Sequence, residues 1–287
     1  MNWLALTVLA VVSRAVYGVA TKVLSENVVV TPITQSMLLT TSAGLLAIPL
    51  SFFIGGINFE GISGVWLSVL IVVLSQAIGN ILYFQGIKHL DAGTTQIAFS
   101  SILIWGVLLS VLFLGSQYSS FQFFGIILML VAILLIQYRK GSLTLDKSVF
   151  FIITSAGLFS LFQVGSAQIS GVINTGAYLL LSYLGSSLII GVFYFKTLAK
   201  DLKLIASQVK KTSVTTFFTS SMSLLYFTFS YFAYRQAPDR GIVVILLTAQ
   251  VVLAVLLGII FLKERQNIAR KIAAGVIAFI ASALIKS

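Results

Sequence analysis

The chain is a succession of long, continuously apolar stretches joined by short polar segments. Ten such stretches fall at about residues 3–21, 33–54, 65–87, 94–114, 121–138, 149–168, 173–195, 213–234, 241–262 and 267–285. Each is close to the ~20 residues a helix needs to cross the hydrocarbon core of a bilayer. None alternates apolar and polar positions over about 10 residues, as barrel strands do. The pattern predicts an all-α integral membrane protein of ten transmembrane helices with no soluble domain. The first stretch lacks a basic start and a small-residue cleavage site, so it reads as a span rather than a removable signal peptide. Pro32 and Pro238 fall at helix starts, which leaves Pro49 as the one candidate kink in otherwise unbroken spans.

Composition agrees with that reading. The 287 residues are 59% hydrophobic and only 9% charged, where a soluble protein carries about 25% charge, and the mean hydropathy is +1.07. With no Cys, the chain has no disulfide, zinc–thiolate site or thiol nucleophile, and His89 alone is too little for a histidine metal site. No metal or cofactor is expected. A surface His is the simplest reading of His89, in the loop beside Lys88 and Asp91.

The net charge of +11 is unevenly placed. The loops after spans one, three, five, seven and nine hold Lys22, Lys88, Arg139, Lys140, Lys147, Lys196, Lys200, Lys203, Lys210, Lys211, Lys263, Arg265, Arg270 and Lys271. The opposite side holds Arg235, Arg240 and Lys286, and Arg14 lies inside span one. By the positive-inside rule the richer side faces the cytoplasm and both termini lie outside. Topology, not nucleic-acid binding, accounts for the charge. The Lys196–Lys211 run is placed where it can touch anionic lipid.

A shift of 148 residues superimposes the halves without a gap between 83 and 114. Tyr83-Phe84 falls on Tyr231-Phe232, Asp91-Ala92-Gly93 on Asp239-Arg240-Gly241, Val107-Leu108-Leu109 on Val255-Leu256-Leu257, and Phe113-Leu114 on Phe261-Leu262. Five spans per half is an odd number, so residues 1–141 and 142–287 form two inverted five-helix repeats. That plan is common in secondary transporters, with the substrate near the midplane between halves.

Leu262-Lys263-Glu264-Arg265 is similar to the Leu-Gly-Glu-Arg that ends span nine in one transporter family, and Lys22 to a Lys that often closes its first span. With helix number, repeat and loop sizes over the whole length, the chain resembles the drug/metabolite transporter superfamily in its EamA-like ten-helix form. It departs from the family at Arg14, where a Trp is frequent, and near Leu103 and Val251, where a Pro is frequent. Ser116 follows Leu114-Gly115 where the first half would carry Glu. The resemblance implies both termini in the cytoplasm, opposite to the charge distribution, and spans five and ten peripheral to the cavity.

Glu26, Glu60, Asp91, Asp146, Asp201, Asp239 and Glu264 all sit in loops or at helix ends. The small multidrug relatives use a buried Glu in span one, and that mechanism has no residue here. Lipophilic-cation/proton exchange is disfavoured; facilitated diffusion or exchange driven by the cargo gradient is expected. Arg14 is the only formal charge deep in a span, at a cost of ~3 to well over 10 kcal/mol unless paired. It reads either as an anchor for a substrate carboxylate or phosphate, or as a structural Arg bonded to backbone or snorkelling to an interface. Tyr17 and Thr21 share its face. Gln76, Asn80 and Tyr83 form a second stripe at i, i+4, i+7, either lining a cavity or bonding between helices. Weaker lining candidates are Thr219, Ser223, Tyr226 and Ser230, with Ser155, Phe159, Gln163 and Ser166. Trp105 and Gln250 lie mid-span and are further substrate-binding candidates, with core packing the other reading of Trp105 and a bond to another helix that of Gln250; Trp66, Tyr118, Tyr138 and Tyr194 read as interfacial anchors. Ala274, Ala278 and Ser282 form a packing ridge.

The leading function is a secondary transporter for a small organic metabolite, an amino acid or related organic anion by preference, in the inner or plasma membrane. The alternatives are a flippase for a lipid-linked phosphate carrier and a structural membrane protein. An enzyme is disfavoured, because acid–base and metal chemistry have few candidates. Expected partners are the substrate and the bilayer, with the chain a monomer or homodimer. A reporter fused after Lys203 should be active only inside the cell. Activity only outside would reverse the topology.

Overall fold

A computed structural model describes residues 2–114, 119–139, 142–143, 146–169, 172–236, 246–247, 250–264 and 267–286. Within them the helices are α1 (Trp3–Asn27), α2 (Pro32–Phe53), α3 (Trp66–Ile87, entered through a 3-10 turn at Ile62–Val65), α4 (Ala92–Phe99), α5 (Ile102–Leu114), α6 (Ser120–Gln137) and α7 (Lys147–Ile169). There follow α8 (Thr175–Leu180), α9 (Ser186–Phe193), α10 (Phe195–Ser207), α11 (Val209–Gln236), α12 (Gln250–Phe261) and α13 (Ile268–Lys286). A two-residue antiparallel pairing joins Tyr138–Arg139 to Ser142–Leu143. The protein is all-helical in its spans, and five segments are long and apolar enough to cross a membrane: Trp3–Asn27, Pro32–Phe53, Ile62–Ile87, Thr175–Phe193 and Ile268–Ile285.

The helix starts follow from local chemistry. Thr31 caps α2 with Pro32 in its first turn, Asp91 caps α4, and Asn174 caps α8. In each case a side-chain oxygen takes a backbone N–H that the helix cannot satisfy. Pro49 lies inside α2, which stays one helix. The spans are not all unbroken, however. Span four divides at Ser100–Ser101, where Ser101 N bonds Ala98 O in a tightened turn. Span seven widens to a π-helix at Leu181–Gly185. Such departures re-aim the side chains around them and are frequent at functional sites.

Lipid tails offer helices no hydrophobic reason to associate, so close approach and interhelical hydrogen bonds hold the bundle. α1 packs along α11, α3 along α7 and α6 along α13. Ser155 donates to Gly79 O (2.7 Å), Ser186 to Val73 O (2.9 Å) and Ser220 to Leu39 O (3.2 Å), each across a helix contact. Ala274, Ala278 and Ser282 are fully buried, and a Cβ at Gly125 of α6 would lie 2.8 Å from Ala281 O. The ridge on α13 is therefore packing, as its spacing suggests. Phe52, Phe53, Phe193, Ile260 and Phe261 point outward, as they should toward lipid.

α10 was not legible as an element, because lysines and Asp201 interrupt its apolar residues. It lies between spans seven and eight and is tied down by Asp201. One carboxylate oxygen accepts from Thr31 N (2.9 Å), Thr31 Oγ1 (2.7 Å) and Thr34 Oγ1 (2.6 Å), at the N-terminus of α2. Burial disfavours the charged form, but the hydrogen bonds from Thr34 and Thr31 outweigh it and hold the carboxyl below its ordinary value. A lowered carboxylate pKa gives stability that is present above the unfolded-state value, about 4, and lost as pH falls through the folded one. Asp201→Asn should lower the melting temperature at pH 7, and the gap to wild type should close on titration toward pH 3. A gap that is constant with pH would show that the charge contributes nothing.

Candidate functional site

Arg14 is buried, 9% exposed, in the middle of α1. Its guanidinium carbon lies 5.0 Å from the centre of the Tyr17 ring, 5.1 Å from Phe99 and 5.2 Å from Tyr226. Tyr17 is one turn along the same helix, Phe99 ends α4 at the break in span four, and Tyr226 comes from α11. Among the described residues no carboxylate is within ion-pair distance of Arg14. Three cation–π contacts at ~0.5–2 kcal/mol each offset part of the burial cost. They do not neutralise the charge.

The rings continue inward as an edge-to-face chain. Tyr83 meets Phe99 at 5.5 Å, Phe99 meets Phe159 at 5.6 Å, Phe159 meets Phe162 at 6.1 Å, and Phe162 meets Phe227 at 6.2 Å. Phe227 in turn contacts Tyr226 at 5.1 Å and Tyr183 at 6.0 Å. Tyr183 belongs to the π segment and shares a hydrogen bond of 2.8 Å with Ser223. Gln96 Nε2 donates to Tyr83 Oη (2.9 Å) and lies against α1 at Gly18, where a Cβ would come within 2.6 Å of that nitrogen. Gly18 is what lets the amide reach the tyrosine.

The expected residues distribute unequally around this centre. Arg14, Tyr17, Tyr83 and Tyr226 come together in it. Gln76 and Asn80 are buried on the Tyr83 face of α3, and the Oε1 atoms of Gln76 and Gln250 are buried without a partner. Thr21 bonds back to Tyr17 O (2.7 Å), Thr219 to Thr215 O (2.8 Å) and Ser230 to Phe227 O (3.1 Å). Ser166 bonds Phe162 O and Tyr178. Ser155 is a helix-contact residue, as above. Trp105 stands apart: its indole Nε1 donates to Ile153 O (3.0 Å) and its ring covers Gly157 of α7. Gln163 lies in α7, but its side chain is outside the described residues, as are Tyr118, Pro238, Asp239, Arg240 and the side chains of Tyr138 and Arg235. Phe99, Gln96, Tyr183 and Phe227 were missed. Gln96 and Phe99 one turn apart, facing Gly18 and Arg14, were the available signal.

At the end of the bundle, residues of one half satisfy helix ends of the other. Glu264 Oε1 accepts from Ala92 N (2.7 Å) and Oε2 from Gly93 N (3.4 Å), so it caps α4. Lys271 Nζ lies 3.1 Å from Asp91 and 3.8 Å from Glu264. Burial pushes the Glu264 carboxyl above its ordinary value; the Ala92 N–H opposes this, Asp91 adds to it, and Lys271 and the Gly93 N–H oppose it. Lys263 before it has φ +57°, the left-handed region that glycine favours. The Gly of the similar motif is thus replaced here by a residue that strains the backbone. Lys22 Nζ donates to Ile87 O (3.0 Å) at the C-terminal end of α3 and pairs with Glu26 (3.0 Å). Among the described residues no group of three or more His, Cys, Asp or Glu could hold a metal.

The model of the EamA-like transporter family matches residues 1–138. That stretch is similar to the family. With the long apolar helices, the likeness supports a multi-pass membrane protein. A solved crystal structure of a protein aligns over 97% of this chain and 95% of its own, at 16% identity and a TM-score of 0.55. At that identity the likeness speaks for the fold alone. No curated protein matches the sequence.

The placement of Trp105 is checked by Trp105→Phe, which removes the bond to Ile153 O. It should cost about 1 kcal/mol of stability and leave cargo affinity unchanged. A changed affinity at unaltered fold would return Trp105 to the site.

Proposed function

We propose that the protein is a secondary transporter of ten crossing helices, built as inverted repeats 1–141 and 142–287, that moves a small organic anion or zwitterion by alternating access. Amino acids and related organic anions are the preferred cargo. The observation that carries this reading is Arg14, buried among three aromatic rings with no carboxylate beside it among the described residues. A cargo carboxylate or phosphate would supply the missing charge through the planar guanidinium fork. The chain of rings would accommodate the organic body.

The packing supports the repeat. Exchanging the halves carries the α1–α11 contact onto α7–α3 and the α2–α11 contact onto α9–α3, while α6–α13 maps onto itself. Loop contacts support alternate crossing. Asp201 after span seven meets Thr31 after span one, and Glu264 after span nine meets Ala92 after span three. On the other side Asn174 after span six bonds Gly55 after span two (3.0 Å). The break at Ser100–Ser101 and the π segment at Leu181–Gly185 are where two spans can bend, and both adjoin the ring chain.

The test uses the pure chain in sealed vesicles with amino acids and small organic acids as cargo, after a thermal-shift screen for ligands. Arg14→Lys keeps the charge but loses the fork. It should weaken binding roughly tenfold to a hundredfold, the worth of one charge-assisted hydrogen bond of about 1.5–3 kcal/mol. Arg14→Leu should insert at least as well and stop transporting. Retained transport in Arg14→Leu at normal expression would make Arg14 structural and remove the anionic-cargo reading.

A further inference from the structure

α10 carries three stripes. Leu198, Asp201 and Ile205 face the protein, with Asp201 fixed to the start of α2. Phe195 and Leu202, each 60% exposed, form with Ala199 and Ala206 an uncovered apolar stripe at i, i+7 and i+4, i+11. Lys196, Lys200 and Lys203 follow at i, i+4, i+7, all exposed. Mean hydropathy does not mark such a helix, but its faces suit one place: the plane where acyl chains give way to headgroups.

A second observation lies beside it. Between α2 and α9 runs an outward-facing groove of about 330 Å³ lined by Met37, Thr41, Leu184, Ser187, Leu188, Gly191 and Val192. Leu188 and Val192, 68% and 63% exposed, make its outer wall. Thr41 and Ser187 satisfy each other's hydroxyls at its floor, so the groove presents almost no free polar group. α10 packs against both helices that form it. Val192 is four residues before Lys196, and Met37 is one turn beyond Thr34, which holds Asp201. An apolar trough thus runs to the base of a row of cations.

We infer that the α2–α9 groove and the lysine stripe of α10 form a site for one anionic phospholipid, an acyl chain in the groove and its phosphate on Lys196, Lys200 and Lys203. Neither part suffices alone. A soluble phosphate would leave the groove and the exposed Leu202 unpartnered, and a neutral lipid would leave three cations without counter-charge, Lys196 having only the ring of Phe195 at 6.0 Å. Each lysine near an anionic headgroup contributes about fivefold in affinity.

The experiment is native mass spectrometry of the detergent-solubilised full chain with equimolar phosphatidylglycerol and phosphatidylcholine. The wild type should retain phosphatidylglycerol over phosphatidylcholine by at least about fivefold. Lys196→Gln/Lys200→Gln/Lys203→Gln should bring that ratio to near one, while the matching triple Lys→Arg variant keeps it. Gly191→Leu, which fills the groove next to Met37, should reduce retention of both lipids. Glycerol 3-phosphate, the headgroup chemistry without chains, should fail to displace the bound lipid. An unchanged preference in the Gln variant, loss of preference in the Arg variant, undiminished retention in Gly191→Leu, or displacement by glycerol 3-phosphate would each overturn the site.

Discussion

A guanidinium inside a membrane protein, with no acid beside it among the described residues, is the constraint around which the interior is arranged. A charge at that depth costs ~3 kcal/mol at the least, and the bundle answers with rings rather than a counter-ion. Tyr17, Phe99 and Tyr226 come from three spans, so their shared contact with Arg14 fixes how α1, α4 and α11 stand together. Phe99 reaches the guanidinium because span four breaks immediately after it. The break and the charge are therefore one feature. The ring faces disperse the charge without cancelling it, which leaves room for an anion that comes and goes.

A second constraint sits at the helix ends. Apolar helices offer few polar groups, yet every terminus exposes backbone donors or acceptors that lipid cannot satisfy. The chain solves this by lending side chains between elements distant in sequence: Glu264 to α4, Lys22 to α3, Asp201 to α2. Gly258 belongs to this arrangement, since a Cβ there would lie 2.7 Å from Glu264 Oε2. The acidic residues that could not serve inside the membrane thus act as its fastenings. Glu264 and Lys271 join the end of α12 and the start of α13 to the start of α4.

Much of this was legible because length and apolarity are strong signals: 20 apolar residues in a row have few alternatives to a span. Arg14 stood out for the same reason in reverse. The break in span four was not legible, since no Pro or Gly marks it and Ser100–Ser101 is ordinary within a helix. The π segment leaves no mark in Leu181–Gly185, because one extra residue in a turn changes no composition. Trp105 reads as a binding residue on position alone; only the structure shows its ring lying against Gly157 and its indole bonded to Ile153 O on α7. α10 escaped a search for continuous apolar runs because its apolar positions are confined to stripes. Periodicity over 195–207 would have found it.

Recognising α10 also alters how the basic residues should be weighed. Lys196, Lys200 and Lys203 lie on α10, and Lys210 and Lys211 in the first turn of α11; under the lipid site inferred above, the first three serve a lipid-facing surface as well as a topogenic signal. Lys22 and Lys271 are buried in ion pairs with Glu26 and Asp91. Setting those seven aside leaves seven basic residues on that side against Arg235, Arg240 and Lys286. The bias keeps its sign without them, so the expected cytoplasmic orientation of that side does not depend on α10. The converse does hold. If α10 lies on the cytoplasmic leaflet, where anionic lipid concentrates, then its lysine stripe and the charge bias are two consequences of one surface.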